Sequence, residues 1–293
     1  MRFQFIEDHR SEFSVVKMCK VLEVSTSGYF KWRNHKPSQQ GVQRERIKER
    51  IVHYYNDSDS VYGSPKITKL LLKEGYNITE RTVSIYMKEL GLRSCVSKKF
   101  KVCTTNSNHE YPVAPNRLNQ EFTTTAPNKV WVVDITYIPC REGRLYLATV
   151  LDLYTREIVG WRLYGHLETQ LVLDALEDAY KLRNPEKGLL HHSDRGSQYA
   201  SKDYRERLEE YKMEASMSRT GNCYDNACAE SFFSLVKKEL LRGRKFQTKD
   251  QAYTEIYRYI EFFYNRKRIH SSIGYVSPVQ YSQQYCRGRL NKG

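Results

Sequence analysis

Residues 130–138 read Val-Trp-Val-Val-Asp-Ile-Thr-Tyr-Ile, and this run constrains the fold more than any other stretch of the chain. β-Branched and aromatic side chains at that density fit a pleated, half-buried strand. Two further runs follow at hairpin spacing, 144–154 (RLYLATVLDLY) and 157–164 (EIVGWRLY). Next comes a helical stripe over 169–182, carried by Leu173, Leu176, Ala179 and Tyr180. A short buried-type strand over 188–194 (GLLHHSD), a polar helix over 202–211 and a fifth strand over 213–217 complete the alternation. Two long helices, 225–241 and 249–268, close it. Antiparallel hairpins followed by β-α-β units make an α/β fold, a mixed five-stranded sheet with helices on both faces. This core is expected over 127–288.

The chain before it has a different texture. Residues 1–40 hold a short helical pattern, with Val15, Val16, Met18, Cys19 and Leu22 as its apolar face and Ser25 as an N-cap for a second short helix. Residues 42–92 form an all-α module: a helix over 43–55, a second from Pro65 stopped by Gly75, and a third capped by Thr79 and closed by Gly91. Two short helices joined by a tight turn suit a helix-turn-helix, and equally a plain three-helix bundle. Residues 93–126 are a basic linker. Its Arg93, Lys98, Lys99 and Lys101 come with no acid among them, which suits either a phosphate backbone or a solvated tether.

The charge balance favours a polyanion partner. The 293 residues carry 48 Lys+Arg against 34 Asp+Glu, a formal charge of +14, and neutralising phosphates releases condensed counterions. No run approaches the ~20 apolar residues of a membrane span, and the N-terminus has no apolar signal core. A cytosolic protein with no membrane partner is expected. Seven cysteines without a C-x-x-C pair offer neither a disulfide framework nor a zinc cage.

Three carboxylates stand out. Asp134 interrupts the apolar strand, where a charge is costly unless it is paired or binds a metal; the alternative is a surface pair on an exposed face. Asp194 ends the run Leu189-Leu190-His191-His192-Ser193 beside a glycine turn, where α/β sheets place their chemistry, although turn-opening Asp is common. Glu230 lies on a partly buried helix, close to one face with Asn226 and Lys237; the alternative is a solvent-facing Glu. Taken together, acids on three separate elements can clamp two hard divalent ions, which serve in-line phosphoryl transfer.

The stretches WVVDITYI, HHSDRGSQY, SMSRTGNCYDNACAESFFSLVKKE and YIEFFYNRKRIHSSIGYVSP resemble the catalytic core of bacterial insertion-sequence transposases, specifically the OrfB protein of the insertion sequence three family. The spacing agrees with that family's D-D-35-E pattern, since 230 − 194 − 1 = 35 residues separate Asp194 and Glu230. The basic residue expected seven positions after the glutamate is Lys237. The N-terminal stretches FIEDHRSEFSVVKMCKVLEVSTSGYFKW and VYGSPKITKLLLKEGYNITERTVSIYMKELGLR look like the same family, so the resemblance spans nearly the whole chain.

The resemblance implies a ribonuclease-H-like core with Asp134, Asp194 and Glu230 as ligands of two Mg²⁺ (or Mn²⁺) ions. It implies 3′-end cleavage at terminal inverted repeats of double-stranded DNA, followed by attack of the freed 3′-hydroxyl on target DNA. It further implies a homo-multimer working on paired ends, with an OrfA-type partner or a frameshift fusion. Lys237 would contact DNA near the reacting end. Arg268, with Tyr264, Asn265 and His270, belongs to a signature read as packing and DNA-facing. His191 and His192 either shape the pocket or pack the core. The zinc module of retroviral integrases is not expected, because His9, His35 and His53 lack its spacing. No heptad seam is visible.

Three rivals remain. A tyrosine recombinase needs an Arg-His-Arg framework that is not apparent. A non-catalytic regulator has no use for three intact carboxylates. A cellular nuclease leaves the N-terminal modules and basic linker unexplained.

Overall fold

The computed structural model describes residues 1–34, 38–97, 111–219 and 222–290. The chain divides into two compact units, Met1–His53 and Tyr54–Gly293.

In the first unit, helices α1 (Arg2–Asp8), α2 (Val15–Val21) and α3 (Thr26–Arg33) close around Ile6, Met18, Cys19 and Tyr29. Ser25 caps α3 as its sequence suggested, its hydroxyl accepting from the Gly28 amide at 2.9 Å. Helix α1 has no counterpart in the sequence reading. Helix α4 (Gln39–Asp57) begins in this unit and buries Ile47 and Ile51, four residues apart on one face.

The second unit opens with α5 (Ser64–Lys73) and α6 (Glu80–Glu89). Pro65 sits in the first turn of α5, and Gly75 stops the chain with a φ of +90° that other residues rarely adopt. Thr79 caps α6 through the Thr82 amide.

The core is one sheet of five strands: β1 (Val130–Cys140), β2 (Gly143–Asp152), β3 (Ile158–Tyr164), β4 (Leu190–Ser193) and β5 (Glu214–Met217), in the order β3-β2-β1-β4-β5. The β1–β2 and β2–β3 pairs are antiparallel; β1–β4 and β4–β5 are parallel. Alternation along β1 separates two apolar layers. Val132 and Ile138 join Leu147, Phe232, Val236, Ile256 and Ile260 on one face. Trp131 and Val133 join Val150, Leu171, Leu176 and Tyr204 on the other. Each such side chain contributes up to ~1.5–3 kcal/mol of burial. The second face is covered by α7 (Thr169–Arg183) and α9 (Lys202–Glu210). Gly160 of β3 permits the close approach of α7, because a Cβ there would stand 2.2 Å from the Ala175 carbonyl.

The two long helices are each shorter than their periodicity predicts, and each changes pitch. Helix α10 (Ala227–Leu235) continues as a π-helix over Val236–Leu241, and α11 (Lys249–Tyr257) as another over Arg258–Tyr264. Five-residue hydrogen bonds mark both, Arg242 amide to Lys237 carbonyl and Asn265 amide to Ile260 carbonyl, each at 3.0 Å. A short α8 (Ser197–Ala200) and a final α12 (Pro278–Leu290) were not legible from periodicity.

The later half of the segment read as a linker is docked on the core. Leu118 is buried in it, and the Arg117 and Leu118 amides both donate to Ser216 Oγ on β5.

Candidate active site

Strand β4 pairs with β1 only over Val130–Val132, so the remainder of β1 runs on past the end of β4. Asp134 is the second residue beyond that pairing, and Asp194 is the first residue after β4 ends. The offset brings a mid-strand and a strand-end carboxylate to the same step in the sheet. Asp194 opens a turn in which its Oδ1 accepts from the Gly196 amide at 2.9 Å. A Cβ at residue 196 would lie 3.0 Å from that oxygen, so glycine keeps the turn tight.

Helix α10 delivers Glu230. Its entry is pinned twice. Asn226, buried at the helix N-cap, donates from Nδ2 to the Val133 carbonyl at 3.0 Å, one residue before Asp134. Asp225, fully buried, accepts from Asn116, Gln120 and the Arg219 guanidinium. Hydrogen bonding from Arg219 holds the Asp225 carboxyl well below the usual carboxylate range.

The three acids share one electrostatic field. Burial raises the Asp134 carboxyl far above its ordinary value, and the negative charges of Asp194 and then Glu230 push it further; the Ile135 amide and Lys237 oppose the shift. Glu230 is raised by burial and by Asp194, and Lys237 again opposes. The Lys237 ammonium is itself lowered by burial and supported by Asp134 and Glu230. Mutual repulsion of this kind requires proximity and an excess of negative charge.

An all-oxygen, all-carboxylate set suits a hard divalent cation, and repulsion among its members is what such an ion would relieve. By donor chemistry the residues fit. As placed here, no group of three His, Cys, Asp or Glu side chains among the described residues converges closely enough to hold an ion. The donors are gathered without forming a finished cage.

A cavity of about 790 Å³ opens beside the acids, lined among others by Asp194, Gly196, Gln198, Lys237, Tyr137 and Tyr146. Arg144, Arg244 and Lys245 add positive charge to its wall. Sequence reasoning missed these three; Arg244 and Lys245 had a signal in the basic run Arg-Gly-Arg-Lys over 242–245, and Arg144 had none.

Other expected positions fall elsewhere. Arg268, read as DNA-facing, is buried and doubly bonded to buried Glu239, Nη2 to Oε1 at 2.7 Å and Nε to Oε2 at 2.8 Å. Its guanidinium is spent on an internal partner, which corrects the DNA-facing reading. Arg93 is exposed just beyond α6, its carbonyl accepting from the Tyr55 hydroxyl. Lys98, Lys99 and Lys101 lie outside the described residues. His191 and His192 are buried, bonded to Tyr204 and to Ser216 and Ser218. Burial pushes them down to about 3 and about 4, so both are neutral packing groups.

Comparison with known proteins gives the family. Residues 124–223 and 230–285 match integrase core domain families, and 43–100 match an HTH-like domain. An insertion element IS600 31 kDa protein of Shigella sonnei is 44% identical, over 92% of this chain and 98% of its own. The transposase InsF of insertion sequence IS3A from Escherichia coli (strain K12) is 38% identical, over 97% and 99%. Among solved structures, the HTLV-2 integrase catalytic core domain in complex with magnesium aligns with a TM-score of 0.42 at 15% identity, over 55% of this chain and 99% of that one. The two family matches define the core as one of the integrase class. The chain belongs to the IS3 family of insertion-sequence transposases. Membership supports polynucleotidyl transfer, in general terms, for the integrase core, and DNA binding for the HTH-like domain. No helix among the described residues is long and apolar enough to cross a membrane.

Proposed function

We propose that Asp134, Asp194 and Glu230 are the catalytic carboxylates of this transposase, holding two Mg²⁺ (or Mn²⁺) ions for 3′-end cleavage and strand transfer at terminal inverted repeats. The observation that carries the reading is the shared field of the three acids, with Asp134 on β1, Asp194 just past the end of β4 and Glu230 on α10, and with Lys237 facing Asp134 and Glu230. Divalent ions, when bound, activate the attacking hydroxyl and stabilise the leaving oxygen. The chain's own groups then position the DNA. Lys237, next to the acids and on the wall of the cavity, meets the phosphate nearest the reacting bond. Asn226 fixes the approach of Glu230 to Asp134 through β1. Arg93, Lys98, Lys99 and Lys101 supply sequence-independent phosphate contacts between the helix-turn-helix over 42–92 and the core.

The same reading takes the chain to act on paired ends as a homo-multimer in the cytosol, with an OrfA-type chain as partner or fusion. Asp134→Asn and Glu230→Gln are expected to keep terminal-repeat binding while losing cleavage and strand transfer with Mg²⁺. Cleavage at the wild-type rate by either variant removes that residue from the centre.

A further inference from the structure

We propose that the cavity beside Asp194 receives a nucleotide splayed out of the DNA duplex, its base stacked on Tyr137 and its phosphates met by Arg144, Arg244 and Lys245. The inference deepens the transposase reading and rests on it for the identity of the substrate.

The cavity is a gap in the sheet edge. Past β4, the β1 edge is capped at three points: the Val133 carbonyl by Asn226, the Ile135 amide by the Asp134 carboxylate, and the Pro139 carbonyl by the Phe246 amide. The stretch left between them, at Thr136 and Tyr137, opens on the cavity. Too little edge remains for a peptide to add as a strand. The volume of about 790 Å³ is that of a small-molecule site, ~300–1,000 Å³, and far too small for a duplex.

Its chemistry selects a nucleotide. Arg144, Arg244, Lys245 and Lys237 line it against the single acid Asp194. Arg144, Arg244 and Lys245 are exposed and form no ion pair among the described residues. Tyr137 is 41% exposed, an unusual fate for a large ring on a central strand. Tyr146 lies directly opposite on β2, its ring 6.4 Å from that of Tyr137 and tilted by 59°. The tilt leaves no slot for a base between the rings. Tyr146, half-buried against the core, props the inner side of Tyr137 and leaves its outer face for stacking. An aromatic face beside a run of cations is how unpaired bases are held regardless of sequence.

The test uses the full chain without divalent metal, so that catalysis takes no part. The probes are a blunt duplex and the same duplex carrying a short oligothymidine tail with one 2-aminopurine. Wild type should bind the tailed probe about fivefold or more tightly than the blunt one, by the weight of one stacked base, and quench the 2-aminopurine. Tyr137→Phe should keep both effects. Tyr137→Ala, checked for folding by its thermal transition, should bring the ratio of affinities to about one and abolish the quenching. Equal affinity of wild type for both probes, or an undiminished ratio in Tyr137→Ala, overturns the inference. Cleavage by wild type with Mg²⁺ in the absence of any tail preference would sink this inference alone. A tail preference in a chain that never cleaves DNA with Mg²⁺ would instead sink the transposase reading of the acids.

Discussion

Asn226 Nδ2 donates to the Val133 carbonyl at 3.0 Å, so the first turn of the helix bearing Glu230 is tied to the strand one residue before Asp134. The bond crosses from a helix cap to the open edge of a sheet, and both ends are buried. Asn226→Ala would strand a carbonyl away from water and cost about 1–3 kcal/mol. It should also let Glu230 drift relative to Asp134. The expected outcome is a turnover loss of at least tenfold with DNA affinity little changed. A variant with the stability loss but wild-type turnover would reduce Asn226 to a packing residue.

Arg268 offers the opposite test, because its expected role lies inside the protein. Glu239 accepts from Arg268 and from the Tyr259 hydroxyl, joining the two π-helical segments. Arg268→Met leaves a buried carboxylate unpaired, at about 3–5 kcal/mol. Arg268→Met combined with Glu239→Leu should recover most of that loss in denaturant unfolding. The salt slope of DNA binding should not move in either variant. A slope reduced by about one, the signature of a lost phosphate contact, would restore Arg268 to the DNA face.

Lys237 should behave differently. Its ammonium faces Asp134 and Glu230 yet lines the cavity. Lys237→Ala is expected to weaken binding to all duplexes alike and to lower the slope of log K against log salt by about 0.9. Titration of binding from low to moderate salt reads this directly. An unchanged slope would limit Lys237 to balancing the acids.

Lys66 gives a pH signature remote from the acids. Burial, and then the charge of Arg268, push its ammonium down to about 7, and it sits 4.9 Å from the centre of the Tyr62 ring. In the unfolded chain a lysine titrates near 10.4. Between those values the unfolded state holds more protons, so stability rises with pH from about 7 to 10, and the penalty is complete below 7. Lys66→Met should raise the midpoint of thermal unfolding most at pH 7 and below, and flatten its rise toward pH 10. A variant as pH-dependent as wild type would contradict the assignment.

What the sequence made legible was local. The run 130–138 is too rich in β-branched and aromatic residues to be anything but a strand, and Pro65, Gly75, Thr79 and Gly91 act within a few residues of where they stand. The three acids were legible through their setting: an interrupted apolar run, a strand-to-glycine turn and a half-apolar helix, then the 35-residue spacing. What stayed hidden depends on distant partners. The Glu239–Arg268 pair spans 29 residues, and the π-helical turns share their residue types with ordinary helix. Tyr137, Tyr146, Arg144, Arg244 and Lys245 form a cavity only once the β1–β2 hairpin and the segment after α10 are folded together.

The central claim is that Asp134, Asp194 and Glu230 hold metal in common. Anomalous scattering from crystals of the protein soaked with Mn²⁺, with a DNA end bound, locates the ions directly. Two peaks about 3.5–4 Å apart, shared among those three side chains and lost in Asp134→Asn, are expected. Manganese bound elsewhere, with the three carboxylates left bare, would contradict the account.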